Sequence, residues 1–251
     1  MSIRLFSGGP GPGVFLRLRA NMTKPAETIL QFGTGRFLRS FVDLFVHESN
    51  LASDRNQRIV VVQSMGVERA RQLSGGPFHV AIRGVSDGCV VDTVQVVKSV
   101  QRGLSAVKDW NSVIDLSQED SLQTIVSNTT EAGLSLDPRD NKPAGVPRSY
   151  PAKLLSLLLA RFRAGLGGLA ILPCELVDDN ARVLRDLVLK QAELWDVEGD
   201  AIDWLREENK WCNTLVDRIV SAPPDTHLLY QTDPLLSVAE PFAFWGIELN
   251  G

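Results

Sequence analysis

Cysteine is scarce. There are three, Cys89, Cys174 and Cys212, none in CxxC spacing. An odd and scattered set of thiols excludes a disulfide framework and fits reduced thiols in a cytoplasmic protein. The three histidines, His47, His79 and His227, are equally scattered, so no metal-ligand spacing exists and no metal site is expected. A long basic run is also missing. Lys and Arg total 26 against 30 Asp and Glu, a formal net charge of −4, which points away from nucleic acid. No apolar stretch is long enough to cross a bilayer, the best candidate being LLSLLLARF at Leu154 to Phe162, so no membrane partner is expected. Small molecules and other protein chains remain.

The first residues, MSIRLFSGGPGPGVFLRLRAN, carry Gly and Pro where a signal peptide needs an unbroken apolar segment. Residues 1–24 are therefore read as a disordered leader, and Met22 competes with Met1 as the start of translation. The rest, 25–251, is one expected unit. With 44% hydrophobic and 22% charged residues in a 251-residue chain, a sizeable core needs no staples.

Strand and helix signals alternate. The apolar run Thr28 to Leu30 leads into QFGTGRFLR, and Phe37, Leu38, Phe41, Val42, Leu44, Phe45 and Val46 then recur at helical spacing to about Asn50. RIVVVQ, Arg58 to Gln63, is a β-branched run suited to burial on both faces of a parallel sheet. FHVAIR (Phe78 to Arg83) and VVDTVQVVKSV (Val90 to Val100), separated by Ser86, Asp87 and Gly88, signal an inserted hairpin. A short helix near Trp110 to Leu116, a strand LQTIVS (Leu122 to Ser127), a helix from Pro151, a strand LAIL (Leu169 to Leu172), a helix capped by Asp178 or Asp179 and a last helix at Ala201 to Glu208 follow. The order implies an α/β fold, a doubly wound, mostly parallel sheet with an inserted β-hairpin.

In such a sheet ligands bind beyond the carboxyl ends of the strands, where the polar clusters GTGR, SNTTE and CELVDDN all fall. A turn needs one glycine. Gly33 and Gly35 together suggest phosphates approaching the backbone at a helix start, with Arg36 to neutralise one. Two departures from GxGxxG stand out. Leu38 replaces the third glycine, and VVVQSMG offers no acid after the second strand to hold a ribose 2′-hydroxyl, leaving NADP admissible beside NAD. Arg69 and Arg71 nearby are read first as a solvated helix face.

QFGTGRFLRSF, SNTTEAG, LPCELVDDN, WCNTLVDRIV and DPLLSVAEPFAFW together resemble the mannitol dehydrogenase family of polyol-specific long-chain dehydrogenases, from about Glu27 onward. The resemblance implies a Rossmann-type NAD-binding domain and hydride transfer between NAD and a secondary alcohol on a sugar acid or polyol. It also implies a mostly helical C-terminal substrate domain, absent here, that carries the catalytic lysine, so no catalytic residue is assigned within these 251 residues. By motif, Gly33, Thr34, Gly35, Arg36 and Phe37 would meet the cofactor phosphates, and Asn128, Thr129, Thr130 and Glu131 the nicotinamide ribose. Glu175, Asn180, Asn213, Asp217 and Arg218 would border the substrate cleft, with an Asp217–Arg218 ion pair fixing a helix end as the structural alternative. Lys153 in SYPAK is read as a surface lysine at a helix start. Phe242, Phe244 and Trp245 would be exposed where the second domain packs, favouring self-association. Alternatives are a catalytically inactive nucleotide-binding module working with a partner chain, and a methyltransferase, against which SNTTEAG and CNTLVDRIV argue.

Overall fold

The computed structural model describes residues 26–129 and 133–249. The expected leader and its second start codon lie outside the described residues. Strands β1 (Glu27–Phe32) and β2 (Arg58–Gln63) are buried along nearly their whole length and pair in parallel, from Ile29 opposite Ile59 to Phe32 opposite Val62. Between them run α1 (Arg36–Ser40) and α2 (Val42–Ala52). The expected single helix is thus broken at Phe41, whose φ of −123° and ψ of −87° leave the helical region. The cause is tertiary: Ser40 Oγ pairs with Ser237 Oγ at 2.6 Å, and the Arg39 guanidinium is held by Leu235 O.

Helix α3 (Glu68–Leu73) precedes the inserted hairpin, β3 (Phe78–Ser86) and β4 (Cys89–Val97). Its two-residue turn has φ of +50° at Asp87 and +76° at Gly88, the pair of positive values that suits the twist of a tight hairpin. The apolar run expected to continue to Val100 instead stops. Val100 begins β5 (Val100–Ser105), which pairs in parallel with β2. Helix α4 (Trp110–Ser117), β6 (Thr124–Ser127), α5 (Tyr150–Arg163), β7 (Ala170–Pro173), α6 (Asn180–Leu194), α7 (Gly199–Glu207) and β8 (Lys210–Trp211) complete the alternation. The main sheet has the order β5-β2-β1-β6-β7-β8, every pairing parallel, with one apolar core on each face. This is the doubly wound, Rossmann-type α/β fold expected from the sequence. The strand order reverses at β1, so a crevice opens between β1 and β6 at their carboxyl ends.

The tail folds back rather than forming another βα unit. Strands β9 (Thr214–Asp217) and β12 (Phe244–Ile247) form an antiparallel pair, while β10 (Val220–Ser221) and β11 (Ser237–Ala239) join the hairpin in a sheet ordered β10-β11-β3-β4. Asp217 and Arg218 therefore end a strand, not a helix.

Gly103 in β5 lies directly against α3, where an added Cβ would sit 2.3 Å from Ala70 O and 2.7 Å from Ala70 Cα. Replacing Gly103 by Ala forces backbone apart at a cost of about 1–3 kcal/mol. For a chain of this size that is a fall in Tm of roughly 2–12 °C. An unchanged melting curve would show that α3 is not seated on β5.

Candidate functional site

Two cavities open at the carboxyl edge of the main sheet, and Asn128 lines both. The larger, about 720 Å³, is bounded by Gly33 and Thr34 after β1, by Gln63, Ser64 and Met65 after β2, and by Asn128 and Thr129 after β6. Its far wall is the stretch around Asp137 to Arg139 and the start of α5, Arg148 to Lys153. The smaller, about 320 Å³, is lined by Phe37, Asn128, Cys174, Leu176, Val216, Asp217 and Arg218.

The two glycines of GTG serve different ends. Gly33 has φ of +129°, and a Cβ there would lie 2.9 Å from Asn128 O and 3.0 Å from Leu38 Cδ1. Backbone conformation and the close approach of the β6 end both require glycine. Leu38, in place of the usual third glycine, fills the space beneath this turn. Gly35 has φ of −65° and ψ of 162°, open to any residue, and a Cβ on it would meet nothing within 4 Å. Neither backbone nor packing explains it. What it preserves is free space beside the amides at the start of α1, which no side chain caps.

Beneath the turn lies a buried polar group of residues that sequence reasoning missed. The Arg39 guanidinium donates to Thr34 O from Nη1 at 2.5 Å and to Leu235 O from Nε and Nη2 at 3.2 and 3.1 Å. Burial, reinforced by Arg69, pulls its pKa down to about 10. Gln31 Nε2 donates to Gly33 O at 3.3 Å. Neither carboxyl oxygen of the fully buried Asp43 finds a donor within ordinary hydrogen-bond geometry among the described residues, and burial pushes its pKa up to about 7. The sequence signal was available: Arg39 and Asp43 are charged residues four apart in an otherwise apolar stretch, FLRSFVDLF.

Behind Asn128 and Thr129 sits Glu175, expected at the substrate cleft and found facing the other way. It is buried, accepting from Ser127 Oγ (3.1 Å), Thr129 N (2.8 Å) and Thr129 Oγ1 (3.1 Å). Burial raises its pKa against the opposing pull of these donors. Its role is to hold the segment after β6. Asn128 Nδ2 donates to Cys174 O at 2.5 Å, closing the same junction.

Asn180 is likewise buried, its Nδ2 donating to Glu175 O and Thr214 O and its Oδ1 accepting from Thr214 N. Asn213 Oδ1 accepts from Ala181 N and Arg182 N, capping α6 away from both cavities. Of the five residues expected at the substrate cleft, only Asp217 and Arg218 line a cavity of this site. They form no ion pair with each other: Arg218 donates to Glu240 O and Ser40 O, and Asp217 is exposed with its carboxylate unengaged among the described residues. Of the cofactor candidates, Gly33, Thr34, Asn128 and Thr129 line the larger cavity and Phe37 the smaller, while Gly35 and Arg36 are exposed beside them. Thr130 and Glu131 lie outside the described residues.

Lys153 is not a surface lysine. It is buried, lines the larger cavity and donates from Nζ to Arg148 O at 2.6 Å, and burial lowers its pKa. Beside it the buried Tyr150 hydroxyl has no partner within ordinary hydrogen-bond geometry among the described residues, and its pKa is pushed up by burial and by the nearby Glu175. Arg71 is exposed and paired with Glu68, whereas Arg69 donates to Pro234 O and Gln72 Oε1. Trp245 is also more enclosed than expected, packed on Phe41 and Phe45, while Phe242 and Phe244 are exposed.

Residues 27–251 match the mannitol dehydrogenase Rossmann domain. The chain belongs to the mannitol dehydrogenase family. Within it, the chain is 36% identical over 239 residues to the altronate oxidoreductase of Bacillus subtilis (strain 168), an alignment covering 90% of this chain and 50% of that protein. It is 37% identical over 244 residues to the altronate oxidoreductase of Halalkalibacterium halodurans, covering 92% and 48%. Among solved structures, the Pseudomonas fluorescens mannitol 2-dehydrogenase ternary complex with NAD and D-mannitol superimposes with a TM-score of 0.78 at 22% identity, over 91% of this chain and 51% of that one. D-sorbitol dehydrogenase in substrate-free form gives a TM-score of 0.73 at 21% identity, over 88% and 50%. The chain spans about half the length of the curated relatives it matches.

The glycine assignments are separable by experiment. Gly33→Ala is expected to lower Tm by several degrees, roughly 2–4 °C for each kcal/mol of strain. Gly35→Val, projecting into open space, is expected to melt as the wild type does while weakening binding of any phosphate ligand at the turn by about tenfold or more, some 1.4 kcal/mol. Melting scans and a binding titration on both variants check this, and a destabilised Gly35→Val would show that the second glycine is structural. Asp43 adds a pH dependence. Its pKa is higher folded than its ordinary 3.8, so its contribution to stability is fully present below that value, declines as pH rises toward about 7, and is gone above it. The neutral Asp43→Asn variant is therefore expected to gain about 2 °C or more in Tm over the wild type at pH 8, and less at pH 5, by differential scanning calorimetry.

Proposed function

We propose that this chain is the NAD-binding part of an oxidoreductase that interconverts a secondary alcohol and a ketone on a sugar acid or polyol, with D-altronate and D-tagaturonate as the substrate pair. The observation that carries the reading is the unfilled space at Gly35, next to a cavity whose floor is the glycine turn. The residues fit a dinucleotide. The cavity is of small-ligand size and runs from the β2 end past Gly33 to Asn128, and among the described residues its wall carries the Tyr150 hydroxyl and three cations, Arg139, Arg148 and Lys153, against Asp137.

NAD, when bound, supplies the hydride acceptor. This chain's own groups bind and orient: the turn at Gly33 and Thr34 and the amides opening α1 meet the pyrophosphate, Arg36 offsets its charge, and Asn128 and Thr129 stand at the ribose on the nicotinamide side. Glu175 acts through Thr129, and Arg39 through Thr34. Oxidising an alcohol also needs an acceptor for the hydroxyl proton. Neither Lys153, whose ammonium is committed to Arg148 O, nor Tyr150, whose hydroxyl is harder to ionise than usual, is suited to that step. The base is accordingly assigned to the part of the family's length that this chain does not span. The exposed apolar side chains Leu215, Phe244 and Ile247 on the β9–β12 pair offer a surface for such a part to cover.

A second reading, a nucleotide-binding module that works with a partner chain and has no turnover of its own, is favoured by the same lack of a free base among the described residues of the larger cavity. Titration of the 251-residue protein with NADH, followed by an assay with tagaturonate, is expected to give saturable binding and no measurable oxidation of NADH. Turnover at an ordinary enzymatic rate, about 1 per second or more, would overturn the assignment of the base. Absence of binding would overturn the cofactor reading itself.

A further inference from the structure

In sheets of this topology the adenosine ribose of a dinucleotide is met at the carboxyl end of the second strand, where a carboxylate accepts from the 2′-hydroxyl and repels a 2′-phosphate. Here that position is Gln63, and both ends of its amide are committed inward. Oε1 accepts from Ala70 N at 2.9 Å and Nε2 donates to Met65 O at 2.6 Å, closing the turn at Gly66, where φ is +78°. The locked turn leaves Ser64 and Met65 lining the larger cavity, and the Ser64 hydroxyl forms no hydrogen bond with any described residue. The first acid that follows, Glu68, does not line the cavity. Its carboxylate is held by Arg71 Nη2 at 2.8 and 2.9 Å on the surface of α3.

The charge around the cavity has the same sense. Among the described residues its lining carries Arg139, Arg148 and Lys153 and a single carboxylate, Asp137, which is already paired with Arg139 at 2.8 and 2.6 Å. A 2′-phosphate adds negative charge to a cavity whose described lining has positive charge in excess, and Ser64 offers it a hydroxyl where a selective site would present a carboxylate.

We propose that this cavity accepts a 2′-phosphate at Ser64, so that the chain binds NADP(H) as well as NAD(H). The inference rests on the dinucleotide reading above. It adds that the β2 end does not discriminate against the phosphorylated cofactor, and that Ser64 is where discrimination would be set.

The test is calorimetric titration of the 251-residue chain with NADH and with NADPH, in low and in high salt, repeated on Ser64→Asp after its fold is checked by thermal melting. The wild type is expected to bind the two within about tenfold of each other, with NADPH affinity falling more steeply as salt rises. Ser64→Asp is expected to shift the affinity ratio toward NADH by about tenfold or more. NADH binding with NADPH weaker by more than that, or a folded Ser64→Asp variant with an unchanged ratio, overturns the inference while leaving the cofactor reading intact. Failure of both nucleotides to bind overturns both.

Discussion

The site is built on the approach of Gly33 to the carbonyl of Asn128. Strands β1 and β6 are neighbours in the sheet, and the chains leaving them must separate to open a crevice, yet remain close enough for one ligand to touch both. At 2.9 Å from Asn128 O to the place where a Gly33 Cβ would stand, any other residue would force the two backbones apart. Several buried polar groups at this edge hold one or other side of that contact. Gln31 and Arg39 secure the Gly33–Thr34 side from below, and Glu175 secures Ser127 and Thr129 on the other.

These supports share a physical pattern: a polar or charged group buried for positioning rather than for contact with ligand. Arg39 joins Thr34 to Leu235, nearly two hundred residues on, so the C-terminal tail is part of what shapes the glycine turn. Arg218 ties the same tail to Ser40. Buried charges of this kind contribute little net stability but fix geometry closely, because breaking one partner leaves the other stranded in a low dielectric. A cofactor that must meet the ends of several strands at once benefits from that rigidity more than from extra contacts.

Local signals made much of the fold legible. The alternation of apolar runs with helical spacing, and the Asp87–Gly88 turn, are read within a few residues, and both were found where expected. What the sequence hid depends on partners far along the chain. The break between β4 and β5 falls at Lys98 and Ser99, inside a stretch read as one strand, and coincides with Ser99 Oγ donating to Asp43 O at 2.6 Å, 56 residues away. The break at Phe41 depends on residues beyond 234. At the site, a need for glycine at Gly33 was legible, since a positive φ is a property of glycine itself. Glu175, Asn180 and Asn213 were expected at the cleft because their motifs, CELVDDN and CNTLVDR, resemble blocks that border it in the mannitol dehydrogenase family. Their carboxylate and amides turn inward because Thr129, Thr214 and the unsatisfied amides of α6 needed partners, and no local pattern reveals such a need.

The turn from Gly33 to Phe37 is proposed to receive a pyrophosphate. A crystal structure of the chain grown with NADH tests it most directly. Phosphate density within hydrogen-bond distance of the backbone amides at Gly35 to Phe37, with the nicotinamide ribose beside Asn128, is the expected result. NADH bound elsewhere, with those amides still open to solvent, would contradict it.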